Sequence, residues 1–311
     1  MSVIMMGEEG LPPAPPPPPP PSPVSPQRPI PGDNADDGSV CTQPIEQPIT
    51  KEISSHSLGC EAYELFHKKQ SSLSNSAKYC YISFYQPVSP ILQNGPACGI
   101  VALAMSASLL GKPHIKTQHI FNRSRELNVS KQGELFSVEY MKTLAQDTLH
   151  CPAMVSGVCG DVERQLIVKS LLQGAVLLIP YDSDKNHRPC LKKGHKAHWA
   201  LITGFFLVVD HELESTVRSL CSADPEHSGL YHCSNPSSLL QLQHAVQRVT
   251  VYAQQGKSKY PGVWPLEDLL ASTTNLTELD PDRAADSESY VIPHGGVLEG
   301  LCGRIVILTK D

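Results

Sequence analysis

Although the chain carries ten cysteines in 311 residues, no two form a Cys-x-x-Cys pair. That removes the usual zinc knuckle and the redox dithiol. No run of 18 apolar residues exists, so no segment reads as a membrane-spanning helix. Basic charge is also short: 25 Lys and Arg against 31 Asp and Glu give a net −6. A general nucleic-acid binder needs a net basic face, so that class is disfavoured. The first eleven residues have no cationic start leading into an apolar stretch, and they carry Glu8 and Glu9. No secretory signal is read there; a cytoplasmic location with reduced thiols is expected.

Proline is abundant but unevenly placed, with 13 of the 28 lying between Pro12 and Pro31. A stretch so poor in N–H donors and so fixed in φ cannot join a helix or an inner strand. Residues 1–55 are therefore expected to be a disordered, proline-rich tail, and 56–311 the folded domain. The uninterrupted run Pro15–Pro21 favours the polyproline II form, which aromatic-lined grooves such as SH3, WW or profilin surfaces recognise.

Within the folded part, Tyr79–Tyr85 reads as a strand, being rich in aromatic and β-branched residues. Gly99–Leu110 is apolar nearly all round and stops at Gly111 before Pro113, the pattern of a buried helix. Amphipathic helices are expected at 134–149 and 161–173, the second with Asp161 as its N-cap. Buried strands are expected at 175–180, 198–209, 249–254 and 304–308, and 210–247 reads as a long insertion. Helices early and strands late point to an α+β fold.

Cys98 stands apart from the other thiols because it opens the buried helix, after Gln93-Asn94-Gly95-Pro96-Ala97. A helix N-terminus favours thiolate, the nucleophilic form. Gly99 is expected to leave space beside the sulfur for a substrate backbone. Gln93 could donate an amide N–H to an oxyanion, with the Cys98 N–H as second donor. His198, at the mouth of the most apolar late strand, is the expected base, with Trp199 shielding the pair. The group that orients His198 is either Gln255, at the end of the next strand, or Asp210, 12 residues on. Lys185, Arg188, Lys192, Lys193, Lys196, Lys257 and Lys259 are expected to form a basic rim beside His198, suited to acidic substrates. Cys190, His195 and His198 lack a fourth ligand, and neither a metal nor an organic cofactor is expected.

The segment Gln93–Gly99 (QNGPACG) before an apolar helix, with His198-Trp-Ala-Leu opening a late strand, resembles papain-like cysteine peptidases of the bacteriocin-processing type. One vertebrate member also matches in its polyproline start, in Gln255–Ser258 and in Gly295–Gly303. The resemblance implies a papain-like fold, with a helical part carrying Cys98 packed on an antiparallel sheet carrying His198. It further implies aminopeptidase-type removal of an acetylated first residue, Met or Cys, from immature actin, with the tail recruiting profilin. Another thiol acyl-transfer enzyme, such as a deubiquitinase, or a non-catalytic adaptor are the rival readings. Selective low-pH alkylation of Cys98 is expected of an enzyme and not of an adaptor.

Overall fold

The structure, a computed structural model, describes residues 54–70 and 78–310. The expected tail and its docking segment Pro12–Pro31 lie outside the described residues, and the described elements all belong to the unit Thr50–Asp311.

A helix α1 (Ser55–Gln70) precedes strand β1 (Tyr79–Tyr85), and three helices come after it: α2 (Cys98–Leu109), α3 (Thr117–Glu126) and α4 (Val138–Leu149). Next come β2 (Ala153–Gly157), α5 (Asp161–Leu172), β3 (Val176–Ser183), β4 (Pro189–Cys190) and the 14-residue β5 (Ala197–Asp210). The chain continues through α6 (Glu214–Leu220), β6 (Ser222–Ala223), β7 (Leu230–His232), β8 (Val246–Gln255) and β9 (Gly262–Pro265). It closes with α7 (Leu266–Thr274) and β10 (Arg304–Leu308).

β5 is the organising strand. One edge pairs first with β3 and then with β1, while the other edge pairs antiparallel with β8. The handover falls at a bulge between Ile202 and Gly204. There the backbones of β1 and β5 approach so closely that a Cβ on Gly204 would lie 2.1 Å from the Phe84 carbonyl oxygen. Glycine fits for that reason and no larger residue can. The sheet runs β2-β10-β3-β5-β1-β7-β6 and is antiparallel except for the parallel β1–β7 pair.

The α+β reading holds, with one correction: helices cover both faces of the sheet. α2 and α4 pack on Leu178, Trp199, Leu201 and Val306 on one side. α5 and α7 pack on Leu177, Ile179, Ala200, Ile202 and Ile305 on the other. Alternate side chains of β3 and β5 thus enter different cores, which is why both strands are largely apolar on both faces instead of alternating with polar residues.

Local departures have local causes. The helix expected from Glu134 starts at Val138, because Ser137 Oγ accepts the backbone N–H groups of Glu139 and Tyr140 and caps it. Glu134 turns inward instead, its carboxylate accepting the N–H groups of Lys131, Gln132 and Val291. Gly160, at φ 102°, is the N-cap of α5, and Asp161 sits inside the first turn where it complements the macrodipole. The expected insertion 210–247 is ordered: it holds α6, contributes β7 to the sheet and ends in a 3-10 helix.

Candidate active site

Cys98 is the first residue of α2, and the turn into that helix carries Gly95 at φ 63°. The backbone N–H groups of Trp199 and Gly99 act on its sulfur and favour the anion. β5 presents His198 next to Trp199, whose indole N–H donates to the Leu135 carbonyl at 2.9 Å. Cys98 and His198 therefore line one cleft, with Pro96, Leu135, Phe136, Arg283 and Trp199. No hydrogen bond joins the thiol to the ring in this conformation. Both are well covered, Cys98 at 9% and His198 at 3% exposure.

Burial has electrical consequences. It raises the Cys98 thiol above its ordinary range, against the two N–H groups and the distant charges of Arg283 and Lys257. This corrects the expectation that the helix start yields a resting thiolate, because desolvation of the anion outweighs the helix-end N–H groups. Burial, and then Lys257, likewise pushes His198 down to about 4. The resting pair is a neutral thiol and a neutral imidazole.

Register across the sheet brings Gln255 of β8 opposite Ala200 of β5, and its side chain reaches His198. Gln255 Oε1 lies 3.2 Å from His198 Nε2 and accepts the Lys257 backbone N–H at 2.6 Å. The Lys257 N–H can only donate, so the amide oxygen must face it, and His198 Nε2 must then be the protonated nitrogen. The lone pair remains on Nδ1, the nitrogen available as a base. Asp210 ends the same strand as His198, 12 positions on, about 40 Å away at the usual strand rise. Its carboxylate accepts from Gln247. The bulge at Gly204 bends the strand but does not reverse it.

Gln93 is not among the residues that line this cleft. Its amide donates to Gly95 O at 2.8 Å within the same loop, and its oxygen packs against Gly256 without a hydrogen-bond partner. The Gln93 backbone N–H donates to Gly256 O at 2.7 Å, which ties the loop before Cys98 to the corner after Gln255. Gly99 does not open space for a substrate: a Cβ there would meet Leu135 at 2.9 Å and Trp199 at 3.1 Å. Glycine at this position lets α2 sit against the tryptophan.

Two members of the expected basic rim are engaged elsewhere. Lys193 and Lys196 pair with Glu278 and Asp280 at 3.1 and 3.4 Å, and His195 pairs with Glu278 at 3.1 Å. Lys257 is the member of the expected set whose charge reaches both Cys98 and His198. Arg283 joins it, a residue that carries no signal in sequence; it lies over the Phe136 and Tyr290 rings at 5.5 and 5.9 Å. The loop before His198 is held from inside by Asp182, a fully buried carboxylate. It accepts the N–H groups of Lys192, Gly194 and Lys196 at 2.9, 2.7 and 2.9 Å. Asp182 escapes a reading of the sequence because an acid inside an apolar strand shows no motif.

Residues 88–206 match the family model described as "Actin maturation protease-like, C-terminal domain". A human protein named "Actin maturation protease" is 40% identical over 240 residues, 74% of this chain and 66% of that one. The protein of the same name from Xenopus tropicalis is 34% identical over 252 residues, 80% of each chain. The chain thus spans just under two thirds of its human relative. A solved chain from Bacillus anthracis, titled a putative C39-like peptidase, is similar over 74% of this chain and 98% of its own. With a TM-score of 0.38 and 12% identity, that likeness is too slight to carry weight.

Proposed function

The chain belongs to the actin maturation protease family, and from that premise we propose that it is a cysteine peptidase that removes the N-acetylated Met or Cys from immature actin. Cys98 Sγ attacks the carbonyl of the first residue while His198 Nδ1 takes the thiol proton. The tetrahedral oxyanion is met by the Cys98 N–H and by Gln93, once its amide turns from Gly95. The imidazolium returns the proton to the departing amine, leaving the acetyl-amino acid as a thioester on Cys98. Water, deprotonated by His198, then hydrolyses it. Gln255 is the positioning residue that keeps Nε2 protonated and Nδ1 free.

The observation that carries this reading is the hydrogen bond from His198 to Gln255, with its tautomer set by Lys257 N–H, on the cleft wall shared with Cys98. Lys257 and Arg283 suit an acidic segment after the excised residue, drawn in by a Coulomb attraction that salt weakens. The proline-rich segment Pro12–Pro31 serves as the arm that binds profilin or an SH3 or WW domain.

Acid quenching during turnover of an acetylated Met-Asp-Asp-Asp peptide tests the chemistry. Mass spectrometry of the digested enzyme is expected to show acetyl-methionine on the Cys98 peptide. An acyl group on another thiol, or none while product still forms, overturns it. Transfer of a ubiquitin-type acyl group in place of acetyl-methionine would mark the deubiquitinase reading.

A further inference from the structure

β7 and then β6 form one end of the sheet. Cys221 leads directly into β6, and Cys233 directly follows β7. The antiparallel register sets Ser222 opposite His232 and Ala223 opposite Tyr231, so one step further sets Cys221 opposite Cys233. Backbone bonding tells which kind of pair this is. The Cys233 N–H donates to Ser83 O of β1 at 2.8 Å, and the Cys221 N–H donates to Val217 O of α6 at 2.9 Å. Neither amide is used between β6 and β7, so the two cysteines form a non-hydrogen-bonded pair. In such pairs the Cα atoms lie about 4.5 Å apart, inside the roughly 4.4–6.8 Å span that disulfides require. Residues directly opposite share a face of the sheet. Accordingly, Cys233 belongs to the core that holds Tyr231 and Leu239, and Cys221 packs against that same core.

We propose that Cys221 and Cys233 are a peroxide-responsive thiol pair that closes into a cross-strand disulfide and ties the end of α6 to β7. Both are free thiols here, Cys221 half-buried and Cys233 buried. The Cys233 thiol donates to Asn235 O at 3.1 Å, with Ser238 Oγ 3.9 Å away. Hydrogen bonding with Cys221, and then with Asn235 and Ser238, holds Cys233 below the ordinary thiol range although burial opposes it. The same partnership, joined by burial, raises Cys221. The first proton of the pair therefore leaves Cys233. Its thiolate attacks one oxygen of hydrogen peroxide, the O–O bond breaks, and the released hydroxide takes up a proton as water. Cys233 is left as a sulfenic acid. The Cys221 sulfur then attacks the sulfenic sulfur and forms the S–S bond, and the departing hydroxide leaves as a second water with the Cys221 proton. Two thiols are oxidised and one peroxide is reduced. Peroxide, little larger than water, enters from the side of Cys221. Cys80 also acts on Cys221, but it is fully buried and its own thiol faces Asp210 O at 3.7 Å.

The test treats the reduced full-length chain with hydrogen peroxide, caps the remaining thiols with N-ethylmaleimide and maps the peptides without reductant. Trypsin leaves both cysteines on residues 219–248, so the digest must also cut after Glu226 to part them. The expected result is a Cys221 peptide joined to a Cys233 peptide and released by dithiothreitol. The melting temperature should rise by a few degrees on oxidation and fall back on reduction, because the bridge closes a loop of the unfolded chain. Cys221→Ser, at a half-buried position, is expected to fold and to lose the peroxide-dependent rise. In that variant the sulfenic acid has no resolving thiol, so dimedone should label Cys233. Recovery of both cysteines capped, while other thiols oxidise, overturns the proposal. So does a bridge from either one to Cys80, or dimedone labelling of the variant only at other thiols.

Discussion

Desolvation governs Cys98 and His198 alike, raising the thiol and lowering the imidazole so that each is held in its neutral form. His198 is pushed down to about 4, so the base stays unprotonated well below the ordinary histidine range. The acid limb of kcat/KM is expected between pH 5 and 4, read from a pH–rate profile on an uncharged substrate. A limb near pH 6.5 would contradict the burial argument. The same shift bears on stability. The unfolded chain protonates His198 near 6.5 and the folded chain only near 4, so this contribution is full above pH 6.5 and is lost as pH falls from 6.5 towards 4. Low-pH alkylation should also fail to single out Cys98, the reverse of what its helix-start position suggests. Gln255→Ala is expected to lower kcat about 10²-fold with KM nearly unchanged, since the amide orients the ring and does not touch substrate. The positions of Cys98 and His198 were legible because helix starts and strand mouths leave marks in sequence. Their protonation states were not, because burial is a property of the assembled core.

At the scale of elements, the segment Pro189–Lys196 is held to the sheet through Asp182 of β3. Asp182→Ala leaves three N–H groups without their acceptor in a buried setting, and a loss of roughly 3 kcal/mol is expected in denaturant unfolding. Activity should fall with it, since His198 lies two residues beyond that segment. Gly204→Ala forces a methyl onto the Phe84 carbonyl and is expected to cost about 2–3 kcal/mol by the same measurement. The long apolar strands and α2 could be read from sequence because their burial is continuous. α3 could not: only Ile120 and Ser124 of its ten residues are buried, so it shows almost no apolar stripe. β6 and β7 are two and three residues long, too short to display a period of two. Asp210 and Gln255 illustrate the same limit, since choosing between them required the cross-strand register of β5 and β8.

Over the whole molecule a net −6 coexists with positive charge acting at the site: Glu278 and Asp280 pair with Lys193 and Lys196, while Lys257 and Arg283 are the cations whose charge reaches His198. Lys257→Glu is therefore expected to raise KM for acidic N-termini by about tenfold at low salt, with the difference shrinking as salt rises. Lys193→Glu should change it little, because Lys193 is already paired with Glu278. Steady-state kinetics at two ionic strengths distinguish the two sites.

The most direct test is to incubate an acetylated Met-Asp-Asp-Asp actin peptide with the wild type, Cys98→Ala and His198→Ala and track it by mass spectrometry. Release of acetyl-methionine by the wild type alone is the expected result. Equal release by all three proteins, or none by the wild type, would contradict the account.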